Sequence, residues 1–123
     1  MNFRRWLTPL IFIGALALYA RTLAPSVVEL FDDSLEFQLV GYKLAIAHPT
    51  GYPLYTLLLK LSSFLPVGDV AYRANLLSAF FAAFAVALVC CIVWRLTGSP
   101  AFALVSAGAL AVSPVFWSQA VIA

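Results

Sequence analysis

An uncharged run of 21 residues, from Ala74 to Trp94, sets the strongest limit on what this chain can fold into. Arg73 precedes the run and Arg95 follows it. A helix that crosses the hydrocarbon core of a bilayer needs about 20 consecutive apolar residues. Trp94 suits the headgroup level at one end of such a helix. The run therefore predicts a transmembrane helix over residues 74–94.

The composition of the whole chain supports the same interpretation. It is 64% hydrophobic and 10% charged, whereas soluble domains average about 45–50% apolar and about 25% charged residues. The formal net charge is only +2 and the cations are scattered, so the sequence gives no basic surface for nucleic acid. We therefore expect an integral membrane protein with the lipid bilayer as its first partner.

Two further apolar segments predict membrane helices on either side of this run. The first covers 6–24 and follows the basic pair Arg4 and Arg5, which is typical of an uncleaved anchor or of a signal peptide. We favour the anchor, and under either interpretation the N-terminus lies in the cytoplasm. The second covers 101–117, is rich in small residues, and should kink or end near Pro114.

The intervening segment, 25–73, has a different character and is predicted to be the first extracytoplasmic loop. Helical patterns over 34–47 and 54–65 are too short to cross a bilayer, since a 12-residue helix spans only about 18 Å. Amphipathic helices of this length should lie in the membrane interface. The predicted fold is an all-α integral membrane protein of one domain over 1–123, with about three transmembrane helices and two short interfacial helices, in the plasma membrane.

The stretch "FDDSLEF", residues 31–37, holds three of the five acidic residues of the chain. Asp33 and Glu36 have the spacing of a capping box, in which Asp33 caps a helix and Glu36 reaches back to its backbone N–H. Clustered carboxylates also raise one another's pKa, which suits a general base. They are ligands for a divalent cation as well, so the cofactor is left open and no metal site is assigned.

A second polar block, "HPTGYPLY", spans residues 48–55. His48 is the only histidine of the chain and fits a structural hydrogen bond, a base or a ligand. Tyr52 and Tyr55 fit interface anchors or platforms for a sugar. Farther along, Arg73 fits a pair with Asp69, an interfacial anchor or a clamp on a lipid-linked phosphate.

The order of several blocks, "TLAPSV", "DDSLEF", "AHPTGYPLY", "LPVGDVAYRANLLSAFFAA" and "SPVFWSQAVIA", resembles a known membrane family. That family is catalogued as domain of unknown function 2723, has protein O-mannosyltransferase-like members, and falls in the GT-C superfamily of glycosyltransferases. Its acidic motif reads Trp-Asp-Ser-Gly-Glu-Phe. Four positions match it: Asp33, Ser34, Glu36 and Phe37. Asp32 replaces the tryptophan, Leu35 replaces the glycine, and Thr50 replaces a proline of the second block.

The resemblance implies a glycosyltransferase that moves a mannose-like sugar from a polyprenyl-phosphate donor to a protein or glycan hydroxyl on the extracytoplasmic side. It implies Asp33 as the catalytic carboxylate, which would serve as the base, with Glu36 second and Asp32 demoted. We predict His48, Tyr52 and Arg73 as substrate-binding residues. GT-C enzymes use many more spans, so we expect this chain to be an N-terminal segment that is inactive alone. The alternative is a small non-catalytic membrane protein or a truncated remnant.

Overall fold

The computed structural model describes residues 3–28, 32–49 and 51–123, and these ranges contain helices but no strand. The predicted all-α class is therefore confirmed for the described part of the chain. The helices, in chain order, are α1 (Phe3–Arg21), α2 (Asp32–Lys43), α3 (Pro53–Ser62), α4 (Val70–Thr97), α5 (Pro100–Ala111) and α6 (Pro114–Ala120).

Helix α4 is the central element and corresponds to the predicted span over 74–94. Among the described helices it is the one that is long and apolar enough to cross a bilayer unaided. Its 28 residues begin at a cap formed by Asp69, whose carboxylate accepts the backbone N–H of Tyr72 at 2.7 Å. Gly98, with a φ of 69°, ends the helix in the left-handed conformation that favours glycine.

The other two predicted spans are not confirmed as single straight helices. In place of 6–24, the structure has α1, whose apolar part, Trp6–Arg21, is shorter than a bilayer core requires. In place of 101–117, α5 and α6 meet at a bend of 66°, and together they are apolar enough for one broken span. The bend lies before Pro114, as predicted, because proline lacks the N–H that would continue α5.

Helices α1, α4 and α5 pack together through small side chains. Ala79 and Ala83 of α4 and Ala103 and Ala107 of α5 are all fully buried. Residues four apart share one helix face, and small residues there let neighbouring backbones approach closely. Tyr19 of α1 is also fully buried, and its hydroxyl donates to a backbone carbonyl at the end of α5 at 3.0 Å.

Helix α3 buries two polar side chains beside Leu59 and exposes a row of three leucines. Thr56 and Ser62 are buried, whereas Leu54, Leu57 and Leu61 are 56–70% exposed. A helix on the surface of a soluble domain would carry polar side chains, and not a leucine row, on its exposed face. The predicted amphipathic helix is therefore present, over Pro53–Ser62, and its placement in a membrane interface stays a prediction.

A fully buried asparagine, Asn75, connects the loop to the helices. Its amide nitrogen donates to the carbonyls of Ala24 at 3.1 Å and Ser26 at 3.4 Å. Its amide oxygen accepts from the Gln38 side chain at 3.3 Å and from the backbone N–H of Ala123 at 2.9 Å. One side chain of α4 thus holds the segment after α1, helix α2 and the segment after α6.

Replacing this asparagine tests its role as the connection. We expect Asn75→Leu to lower the free energy of unfolding by about 1–3 kcal/mol, because it leaves buried carbonyls and N–H groups without partners. Thermal unfolding of the purified protein in detergent measures the loss. Gln38→Leu removes one of the four bonds and should cost less; an equal or larger loss for Gln38→Leu would contradict the assignment.

Gly41 marks the closest approach of α2 and α3. A Cβ atom built on Gly41 would lie 2.1 Å from Cβ of Leu59 and 3.1 Å from its backbone. We therefore expect Gly41→Ala to destabilise the protein by about 1–3 kcal/mol through overpacking. Gly108→Ala is the matched control, since no atom lies within 4 Å of its added Cβ. A lower melting temperature for Gly108→Ala than for Gly41→Ala would refute the predicted close contact.

Candidate functional site

Glu36 and His48 bind each other, and this contact joins the two polar blocks. The Glu36 carboxylate accepts the backbone N–H of His48 at 2.7 Å and Nδ1 of its ring at 2.5 Å. The capping-box interpretation is therefore wrong: α2 begins at Asp32, and Glu36 reaches to His48 rather than to Asp33. The helix also ends at Lys43, before the predicted 47.

Asp33 lies on the other side of the same imidazole. Its Oδ2 is 4.0 Å from Nε2 of His48, and its side chain is 63% exposed. An ionised Glu36 only accepts hydrogen bonds, so it holds a proton on Nδ1 and aims Nε2 toward Asp33. The imidazole thus lies between one engaged carboxylate and one open carboxylate.

The charges of this pair shift both pKa values in the direction that favours the ion pair. The hydrogen bond to Glu36 raises the pKa of His48 above its ordinary 6.5, with a smaller contribution from Asp33. The hydrogen bonds from His48 lower the pKa of Glu36 below its ordinary 4.5. Both groups remain accessible to solvent, so the effect is a bias toward the charged forms rather than a buried salt bridge.

An aromatic cluster supports the pair from one side. The ring of Phe37 lies 5.9 Å from that of His48, and 5.3 Å from each of the rings of Tyr52 and Tyr55, with the tyrosines edge-on. Edge-to-face contacts at these distances are favourable. Tyr52 occupies the left-handed region at φ 44°, a conformation that costs free energy in a residue with a side chain. The structure therefore brings the predicted residue Tyr52 to the edge of the acidic site.

The same residues offer ligands to a cation. Ligand atoms of Asp33, Glu36 and His48 all lie within 4.8 Å of one another. Two carboxylates and an imidazole suit a divalent metal ion. A histidine that ligates a metal usually donates its other ring N–H to a carboxylate, as Nδ1 does here to Glu36. The donor set thus fits a divalent cation between Asp33 and Nε2 of His48.

Arg73 is not brought into this cluster by any described contact. Its guanidinium donates to the carbonyls of Ser63 at 2.6 Å, Val67 at 2.7 Å and Gly68 at 3.0 Å. These bonds hold the turn between α3 and α4. Asp69, the predicted partner of Arg73, instead accepts from a serine hydroxyl and a backbone N–H, which lower its pKa. The role of Arg73 at a phosphate stays a prediction.

A cavity of about 390 Å³ opens beside Asp33. Its polar lining on α3, α4 and α6 includes Tyr55, which the sequence offered as an anchor or sugar platform, and Ser78 and Gln119, which the sequence analysis did not assign to a site. The available signals were a serine inside an uncharged run and a glutamine in the block "SPVFWSQAVIA". The side chain of Asp32 and residue Thr50 lie outside the described part of the chain.

Comparison with known proteins identifies the family. Residues 33–123 match the family described as protein O-mannosyl-transferase TMEM260 N-terminal domain. The chain belongs to this family. The match begins at Asp33 and includes every described residue of the site.

Two relatives carry the same name. The mouse protein O-mannosyl-transferase TMEM260 is 39% identical over 114 residues, which cover 92% of this chain and 16% of the mouse protein. A Dictyostelium discoideum protein of that name is 29% identical over 111 residues, covering 88% and 13%. The chain therefore spans less than a fifth of the length of these relatives. No solved structure matches the chain with significance.

The pKa of His48, the single histidine of the chain, tests whether Glu36 and His48 form a hydrogen-bonded ion pair. The Glu36 contribution is complete above pH 4.5 and the His48 contribution below pH 6.5, so the pair stabilises the fold most between these values. The stability that the pair contributes should be lost when the pH rises through the raised pKa of His48. It should also be lost when the pH falls through the lowered pKa of Glu36. NMR titration of labelled histidine should show a pKa above 6.5.

Two variants sharpen this titration. Glu36→Gln should lower the pKa of His48, because the largest cause of its increase is removed. Asp33→Asn should lower it less, because only a weaker attraction at 4.0 Å is lost. An unchanged histidine titration in Glu36→Gln would show that the two side chains do not pair.

Proposed function

We propose that this chain forms the N-terminal part of a membrane glycosyltransferase of the GT-C type and of the catalogued family 2723. The enzyme would move a mannose-like sugar from a polyprenyl-phosphate donor to a hydroxyl group of a protein or glycan. The names of the relatives, both protein O-mannosyl-transferases, support transfer of mannose. The observation that carries the proposal is the open Asp33 carboxylate, which faces a cavity and stands beside an imidazole held by Glu36.

Asp33 is suited to act as the general base. An acceptor hydroxyl in the cavity would transfer its proton to this carboxylate while its oxygen attacks the anomeric carbon of the sugar. The bond from that carbon to the phosphate oxygen breaks, and the phosphate leaves with the electron pair. Glu36 acts indirectly, because both of its oxygens are engaged by His48.

The leaving phosphate needs positive charge near it. His48 is the cationic group nearest Asp33 in the described structure, and the raised pKa favours its charged form. Tyr52 lies against the same imidazole, with ring centroids 5.4 Å apart, where its hydroxyl can bind substrate. Arg73 keeps two of its five N–H donors beyond the three carbonyl bonds, and we retain it as a phosphate partner. When His48 is neutral, its Nε2 and the Asp33 carboxylate would instead be able to hold a divalent cation, which would supply Lewis acidity in place of the imidazolium.

The membrane arrangement is part of the proposal. We infer three spans, with α5 and α6 as one broken span, a cytoplasmic N-terminus, and the loop 25–73 on the outer face of the plasma membrane. The leucine row of α3, namely Leu54, Leu57 and Leu61, supports contact with lipid because these side chains are exposed while Thr56 is buried. In this arrangement the site lies at the level where a lipid-linked sugar meets a protein acceptor.

The test of this function uses the full-length protein in which the chain occurs. Asp33→Asn should abolish sugar transfer from a polyprenyl-phosphate sugar, because a base that contributes about 10²–10⁴-fold is lost. Asp32→Asn is the matched control and should retain activity. Radiolabelled sugar incorporated into an acceptor measures both variants. Full activity of Asp33→Asn would reject the assignment.

A further inference from the structure

The cavity beside Asp33 offers hydrogen-bonding groups that are neutral apart from that carboxylate. Its polar lining includes the phenol of Tyr55, the hydroxyl of Ser78 and the carboxamide of Gln119, together with Ser34. Among the described residues that line it, none is a cation. Hydroxyl and carboxamide groups both donate and accept hydrogen bonds. This chemistry matches a neutral, hydroxyl-rich ligand better than it matches a phosphate.

Tyr55 and Ser78 form a pair across the interface of α3 and α4. Their oxygen atoms are 3.1 Å apart, and either one can donate to the other. Burial raises the pKa of Tyr55, so its phenol stays protonated and remains a donor at neutral pH. The Phe37 ring fixes the Tyr55 ring edge-on at 5.3 Å. The pair is therefore preorganised, and a ligand does not have to order it.

Gln119 comes to the same cavity from α6. Its side chain is exposed, and no hydrogen bond to it is found within residues 3–28, 32–49 and 51–123. The 66° bend between α5 and α6 turns this helix away from the line of α5. Its carboxamide is thus available to a ligand.

The cavity continues into an apolar groove along α4. A second cavity of about 290 Å³ shares Tyr55, Ser78 and Gln119 with the first, and is otherwise lined by Phe81, Ala82, Ala85, Phe116 and Ala120. From Ser78 to Ala85 the helix rises about 10 Å. A ligand that occupies both cavities therefore has a polar head near Asp33 and an apolar tail along a helix of membrane-spanning length.

We propose that Tyr55, Ser78 and Gln119 form the subsite that binds the sugar hydroxyls of the lipid-linked donor and helps to select the sugar. This inference rests on the proposed function, because it names the part of the substrate that the same site holds. An acceptor hydroxyl shares the chemistry of a sugar hydroxyl. The apolar continuation along α4 favours the donor, whose prenyl chain can follow the groove.

The experiment measures steady-state kinetics of the full-length protein with varied donor and, separately, with varied acceptor. Tyr55→Phe, Ser78→Ala and Gln119→Ala should each raise KM for the donor by about three- to tenfold, the effect of one lost hydrogen bond. The ratio of kcat/KM between two epimeric sugar donors should fall toward one in the same variants. Gln119→Asn, which keeps the carboxamide, should restore part of the loss.

Two controls separate binding from folding. Tyr42→Phe removes the phenol of an exposed tyrosine elsewhere, and Ser118→Ala removes the hydroxyl adjacent to Gln119, which donates within its own helix at 2.9 Å. Both should leave donor KM and selectivity unchanged. A lower kcat with unchanged donor KM and selectivity in all three site variants would overturn the proposal.

The kinetics with varied acceptor decide whether the subsite binds hydroxyls of the donor sugar or a hydroxyl of the acceptor. A raised KM for the acceptor with an unchanged KM for the donor would overturn the assignment to the donor sugar. Failure of the proposed function is distinguishable from both results. In that case the wild-type protein transfers no sugar at all, whereas failure of this inference alone leaves wild-type transfer intact and the three variants normal.

Discussion

The arrangement of the loop over the helices depends on the amide of Asn75. An asparagine in an otherwise apolar helix is costly to bury, and here its cost is offset because both ends of the amide are engaged. The partners come from the segment after α1, from α2 and from the segment after α6. Since α2 carries Asp33 and α6 carries Gln119, the same side chain sets the relative position of the two walls of the candidate site.

The site itself depends on a contact between the two polar blocks of the sequence. Twelve positions separate Glu36 from His48, yet two hydrogen bonds and the Phe37 ring bring the second block onto the first helix. This contact leaves Asp33 as the carboxylate without a hydrogen bond in the described structure. Glu36 therefore orients the imidazole, and Asp33 is free to react.

The features that the sequence predicted well are those with a strong local cause. The uncharged run predicted helix α4 and Pro114 predicted the bend, because each acts through its own neighbours in the chain. The capping box failed because a tertiary partner, His48, competed for Glu36. Tyr55, Ser78 and Gln119 converge only through helix packing, which no spacing in the sequence records.

The exposed leucine row of α3 changes which substitutions this segment tolerates. In a water-soluble helix, serine or lysine replaces an exposed residue with little effect. Here Leu57 and Leu61 face outward, and a polar replacement would place its hydrogen-bonding groups against lipid in the proposed arrangement. In that arrangement the outer face of this helix should therefore accept exchanges among apolar residues and reject polar ones, which is the opposite of what an outer face in water accepts.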